Sequence, residues 1–221
     1  MKKSLNEIME FYGTDKMEVD HNYVPVYLNI LNGKENDKLK ILEIGVYRPQ
    51  HHEQIREIGK GRRLPGASLR TWYDYLPNSE IYGIDLGEFK DIENDRIKTF
   101  VCNQESKEQL NELISKIGSD FDMIIDDGGH TMKQHQVSIS VLFKHLKSGG
   151  VYVIEDLVTC EWPHYVGTDL KTTVMLRDFQ TDGKIKSQHI DMEESLYLEE
   201  NIKSMEITQC KLSEIAVIYK K

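Results

Sequence analysis

The chain has 221 residues, with 37 acidic against 28 basic side chains and a formal net charge of −9. That balance gives no global electrostatic case for a nucleic-acid polymer or an anionic membrane as partner. The length suits a single domain spanning 1–221 with a sizeable core, and no run of about 18 apolar residues is present to span a bilayer.

Cys102, Cys160 and Cys210 are odd in number and far apart, so they make neither a disulfide framework nor a C-x-x-C metal site. With no apolar leader at the N-terminus, a cytoplasmic protein is expected.

Taken in order, residues 4–11 read as a short helix with Leu5, Ile8, Met9 and Phe11 on its apolar side, and Tyr27–Leu31 as a second. These belong to an N-terminal helical segment over 1–35. Leu39–Val46 is the first buried strand. Residues 48–66 read as an insertion where a tight glycine loop would be expected. Ser68–Leu76 is a helix stopped by Pro77, Ile81–Asp85 the second strand and Ile97–Val101 the third. Ser106 caps a helix that runs to Ile117. Met123–Ile125 is the fourth strand, Met132–Leu146 a helix ending at Gly149-Gly150, and Val151–Ile154 the fifth strand. Asp182-Gly183 signals a hairpin with a strand over Lys184–Ile190. Met205–Cys210 and Ile215–Tyr219 close the chain as a hairpin around Lys211-Leu212-Ser213. The alternation predicts an α/β fold: a doubly wound, Rossmann-like, mostly parallel sheet with a C-terminal antiparallel hairpin.

In such a sheet every parallel strand ends at one edge, which is where ligands bind. Strand one ends in Glu43 and Gly45, and strand two in Asp85. An acid ending strand two can hydrogen-bond a ribose diol, yet neither a G-x-G-x-x-G nor a P-loop is present to cradle phosphates. A nucleoside without a diphosphate, S-adenosylmethionine, fits this pattern; ordinary strand-end acids fit it equally. Strand four ends in Asp126-Asp127-Gly128-Gly129-His130 and strand five in Glu155-Asp156. Four carboxylates and an imidazole at one edge repel unless a cation joins them, and a divalent metal is the natural candidate.

Leu42–Val46, Ser68–Trp72, Ile81–Asp85, Phe121–His130 and Gly149–Asp156 together resemble the metal-dependent class I sugar O-methyltransferases, the mycinamicin type among them. Gly13-Thr14-Asp15-Lys16, with His21 and Tyr23, is also similar to that family. The resemblance covers about residues 11–160. It implies the class I methyltransferase fold with S-adenosylmethionine and Mg²⁺ as cofactors. Asp127, Glu155 and Asp156 match the metal ligands and His130 the general base. Asp85 matches the ribose acid; Gly45, Ser68 and Asp126 the methionine side; Asn103 and Gln104 the adenine side. Thr14, Lys16 and Glu43 are placed with the cofactor by the same likeness.

The implied reaction is transfer of a methyl group to a sugar hydroxyl, for which a hard ion, a base and proximity are the chemical needs. Trp162 and Tyr165 lie just past strand five, where they would pack a sugar face or anchor a loop. Residues 48–65 carry Arg48, Arg56, Lys60, Arg62 and Arg63 against Glu53 and Glu57, a local charge of +3. Arg62 and Arg63 there suit a phosphate, hence a nucleotide-linked sugar; a solvated loop or a homo-oligomer contact is the plainer use. The other readings are an N- or O-methyltransferase of a small phosphorylated metabolite, and a non-catalytic nucleoside-binding protein with a structural metal.

Overall fold

The structure, a computed structural model, describes residues 3–46 and 64–221. Seven strands form one sheet: β1 (Lys40–Ile44), β2 (Glu80–Asp85), β3 (Ile97–Val101), β4 (Phe121–Asp126), β5 (Leu146–Ile154), β6 (Ile202–Gln209) and β7 (Glu214–Lys220), in the order β3-β2-β1-β4-β5-β7-β6. The first five pair in parallel, and β7 lies antiparallel to both β5 and β6. This is the doubly wound sheet with a closing hairpin that the alternation predicts.

Eight helices are described: α1 (Leu5–Tyr12), α2 (Val24–Leu31), α3 (Ala67–Tyr75), α4 (Lys107–Ile117), α5 (Met132–Leu142), α6 (Pro163–Val166), α7 (Thr172–Asp182) and α8 (Met192–Asn201). Apolar strand residues alternate between two cores, as a pleated sheet requires. Leu42, Ile124 and Tyr152 face the core shared with α4, α5, α7 and α8. Ile41, Ile125 and Val153 face the core shared with α1, α2 and α3.

Two expectations are corrected. Asp182-Gly183 does not open a hairpin: Gly183, at φ 71°, caps the C-terminus of α7, and its N–H donates to Phe179 O. Residues 184–191 are irregular, and the unforeseen α8 follows, with Asp191 and Glu194 forming a reciprocal capping box. The helix expected to reach Leu146 ends at Leu142, passes through one 3-10 turn, and β5 begins at Leu146. Gly149 and Gly150 therefore lie within a strand beside a register shift against β4, not at a helix cap.

Register decides which side of the sheet each strand-end acid faces. Glu43 pairs with Ile125, and Ile125 with Val153. Glu43, Asp127 and Glu155 therefore share the parity of the face covered by α1–α3, and Asp126 has the opposite one. On the first face the fully buried Trp72 donates from Nε1 to Glu43 Oε2 at 2.7 Å and packs at a tilt against Tyr27, 4.9 Å between ring centroids. Trp72→Phe keeps the ring but strips a buried carboxylate of its donor. It is expected to cost about 3 kcal/mol of unfolding free energy, measured by urea titration with the parent's m-value retained.

Candidate active site and metal centre

The C-terminal ends of β1, β2, β4 and β5 surround a cavity lined by Thr14, Asp15, Gly45, Ser68, Asp85, Asp127, His130 and Asp156. A second cavity adjoins it across Gly45, Asp85 and Gly128 and is lined by Asn103, Gln104 and Gln134. Together they make one cleft over the sheet edge. Gly45, at φ +95°, lets β1 turn beneath it: a Cβ there would strike the Asp127 carbonyl oxygen. At Gly128 a Cβ would strike Gln104 Oε1, the atom that accepts from Gly129 N.

The acids at this edge divide into two sets. Asp126 is fully buried, accepting from Gln104 Nε2 at 3.0 Å, from Ser138 Oγ and from the Tyr152 hydroxyl. Glu155, 1 % exposed, accepts from Lys16 Nζ at 2.6 Å and from the Tyr27 hydroxyl. Glu43 accepts from Trp72 and lies 3.5 Å from Lys16 Nζ. These three are internal. Asp85, Asp127 and Asp156 face the cleft. Asp85 is held by Val46 N on Oδ2 and Gly87 N on Oδ1, both at 2.9 Å. Asp156 accepts from the Tyr23 hydroxyl at 2.6 Å, with His21 Nδ1 3.0 Å from the same oxygen.

Lys16 is the cation beneath the cleft. It is wholly buried, and its ammonium donates to both Asp127 and Glu155. Burial alone would lower its pKa, but Asp127, Glu155 and Glu43 outweigh this and hold it well above the ordinary lysine value. The acids respond to being too many for one partner. Burial pushes Asp127 up to about 6 and raises Glu155 well above the carboxylate range, against the pull of Lys16. At Asp156, burial is overridden by His21, His130 and Tyr23, and its pKa is lowered.

His130 stands between the two cleft acids, Nε2 lying 3.8 Å from Asp127 Oδ1 and 3.8 Å from Asp156 Oδ2. Asp127, His130 and Asp156 each offer a ligand atom, all within 4.8 Å of one another. Two hard carboxylate oxygens at the wall of an acid-rich cleft fit a divalent ion such as Mg²⁺, while the imidazole is the softer donor and is free to serve as a base. His130 and Asp156 both hold left-handed backbone, φ 59° and 54°, a strained state for side-chain-bearing residues and one concentrated at functional sites.

Among curated proteins, the chain is 36% identical over 166 residues to demethylmacrocin O-methyltransferase of Streptomyces fradiae and 34% identical over 166 residues to mycinamicin VI 2''-O-methyltransferase of Micromonospora griseorubida. Each match takes in 75% of this chain and 39% of the relative. Among solved structures, the MycE methyltransferase from the mycinamycin biosynthetic pathway, in complex with Mg and SAH, superposes with a TM-score of 0.80 at 28% identity, over 100% of this chain and 55% of that one. The chain is a relative of the sugar O-methyltransferases. It spans about two fifths of the length of these curated relatives. Its sheet and closing hairpin are those of the MycE class I methyltransferase fold. No family model matches the chain.

Within this family frame, the residues read from sequence separate clearly. Gly45, Ser68, Asp85, Asn103, Gln104, Asp127, His130, Asp156 and Thr14 line the cleft. Three residues placed with the cofactor do not line it: Glu43 is turned toward Trp72 and Lys16, Asp126 toward α5, and Lys16 is sealed under the acids. Glu155, expected with Asp127 and Asp156 at the metal, bonds to Lys16 and Tyr27 and lies outside the Asp127–His130–Asp156 group. Tyr165 flanks His130 at 6.5 Å between ring centroids and packs on His164 and Trp162, the last 44% exposed. Arg62 and Arg63, with the rest of the basic stretch over 47–63, lie outside the described residues.

Sequence reasoning missed Tyr27, Trp72, Ser138 and Tyr152, helix and strand residues whose polar atoms alone join the site. His135 is fully buried, 6.0 Å from His130 between ring centroids. Neither ring nitrogen of His135 has a hydrogen-bond partner among the described residues. Burial drops its pKa from 6.5 to about 4. Its folded form is neutral while the unfolded chain takes up a proton below pH 6.5, so this contribution is complete above pH 6.5 and is lost as pH falls to 4. Stability is expected to decline across that window by about 3 kcal/mol from this residue. His135→Leu should flatten the slope in urea titrations run from pH 7 to pH 4.

Proposed function

We propose that this chain transfers a methyl group from S-adenosylmethionine to a sugar hydroxyl, with Mg²⁺ at the cleft. The observation that carries the reading is the convergence of Asp127, His130 and Asp156 at the wall of the cleft that Asp85 also lines. The names of the relatives, and the Mg and SAH bound by the MycE methyltransferase, support it. When bound, Mg²⁺ supplies Lewis acidity toward the acceptor hydroxyl, and S-adenosylmethionine supplies the methyl group.

The chain's own residues have separable tasks. Asp127 and Asp156 offer the oxygens for the ion, and Tyr23 and His21 fix the Asp156 carboxylate. Asp85, set by two backbone N–H groups, presents a carboxylate suited to a ribose diol. Asn103 and Gln104 edge the adjoining cavity, which suits the base of the nucleoside. His130 Nε2 takes the proton that the acceptor hydroxyl releases. The Trp162–His164–Tyr165 aromatic group beside it gives a sugar face a platform.

Asp127→Ala and Asp156→Ala are expected to abolish Mg²⁺-dependent turnover, measured as methyl transfer from labelled S-adenosylmethionine to a panel of glycosides. Full activity of the parent in excess EDTA would refute the metal role. His130→Ala should lower kcat by about 10²-fold or more with cofactor affinity unchanged, the scale of losing a general base; a parental pH–rate profile would return His130 to a structural role.

The basic composition of residues 48–65 supports a phosphate-bearing acceptor such as a nucleotide-linked sugar. Replacing Arg62 and Arg63 by Ala should then raise KM for a nucleoside-diphosphate sugar while S-adenosylmethionine affinity stays constant. An unchanged KM removes the phosphate.

A further inference from the structure

We infer that Lys16 is a built-in counter-ion that competes with the divalent metal for the carboxylate of Asp127, holding the acid cluster together in the metal-free protein and weakening metal binding. The inference rests on the metal reading above and concerns a residue that reading leaves without a task.

The Lys16 ammonium reaches acids from three strand ends, Glu43 in the last pleat of β1, Asp127 after β4 and Glu155 after β5. The side chains of Lys16 and Glu43 are wholly buried and that of Glu155 is 1% exposed, so water does not screen these three charges, while Asp127, 19% exposed, also meets the cleft. Without Lys16, two buried carboxylates would face Asp127 with only Trp72 and Tyr27 as donors. Such a cluster cannot stay ionised and folded. Lys16 thus allows this edge to form before any ion arrives.

The same contact sets the ammonium against the metal. Asp127 gives Oδ2 to Lys16, and its Oδ1 is the oxygen that faces His130. An ion seated on Asp127 and Asp156 therefore meets Lys16 across a single carboxylate group. Two cations sharing one carboxylate repel, and each draws off electron density the other needs. By linkage the coupling is reciprocal: Lys16 lowers metal affinity, and bound metal loosens Lys16.

The test is Mg²⁺ titration by calorimetry on the metal-free parent, Lys16→Met and Lys147→Met. Lys147 pairs with Asp122 at the opposite end of β4, so its variant loses the same charge away from the site. Lys16→Met is expected to lower the metal-free Tm and to bind Mg²⁺ at least 10-fold more tightly than the parent, with Lys147→Met unchanged. A Kd for Lys16→Met equal to or weaker than the parent's, or an equal gain in Lys147→Met, overturns the inference.

Should Lys16→Met fail to fold, the parent alone decides. The ¹⁵N signal of the buried Lys16 ammonium is expected to shift or broaden in step with the Mg²⁺ binding isotherm, and a signal that stays fixed through saturation overturns the inference. If calorimetry finds no Mg²⁺ uptake by the parent or by either variant, the metal reading falls and this inference falls with it. Uptake by the parent without the Lys16 effects sinks only the role of Lys16.

Discussion

The constraint on which this structure depends is electrostatic. A parallel sheet sends all its strand ends to one edge, and here β1, β2, β4 and β5 each deliver acid to it. Left to themselves these carboxylates would repel and lose hydration together. The fold answers with a different partner for each: the Lys16 ammonium for Glu43, Asp127 and Glu155; His21 and Tyr23 for Asp156; Ser138, Gln104 and Tyr152 for Asp126; and backbone N–H groups for Asp85. The N-terminal segment between α1 and α2 is therefore part of the site, since it supplies Lys16, His21 and Tyr23.

Partnering is incomplete in a way that leaves chemistry available. The internal acids are turned away from the cleft, whereas Asp85, Asp127 and Asp156 retain faces toward it. His130 is held at 3.8 Å from two of them, too far to be neutralised by a direct hydrogen bond and near enough to feel both charges. The left-handed backbone of His130 and Asp156 costs energy at the two residues that close this triangle. Packing on both sides supplies the compensation: Thr159 donates to the His130 carbonyl, and Tyr23 both donates to the Asp156 side chain and accepts from its N–H.

Much of this was legible in the amino-acid order. Buried strands ending in acids marked the sheet, its closing hairpin and the acid-rich edge, and the Asp-Asp-Gly-Gly-His and Glu-Asp motifs singled out Asp127, His130, Glu155 and Asp156, which the structure brings to that edge. The failures have physical causes. Asp182-Gly183 has the composition of a hairpin turn, but the same dipeptide ends a helix when glycine takes the left-handed cap, and local residue types do not separate the two. Lys16 sits in a polar stretch that reads as a surface turn; its burial follows from three acids that are 27 to 139 residues away in the chain, as the ion pairs with Glu43 and Glu155 show.

The assignment of Glu155 carries the more general lesson. Within a pleated strand successive side chains leave opposite faces, so adjacent acids there part company unless the backbone leaves the pleat. Asp126 goes to the α5 side and Asp127 to the other; Glu155 goes beneath the cleft with Tyr27, and Asp156 escapes the alternation only by turning into left-handed backbone. The register of β1, β4 and β5 gives Glu43, Asp127 and Glu155 one parity, so a single buried cation on the α1–α3 side reaches all three. In each double-acid pair of this chain one carboxylate is held inside, Asp126 and Glu155, and its neighbour, Asp127 or Asp156, lines the cleft.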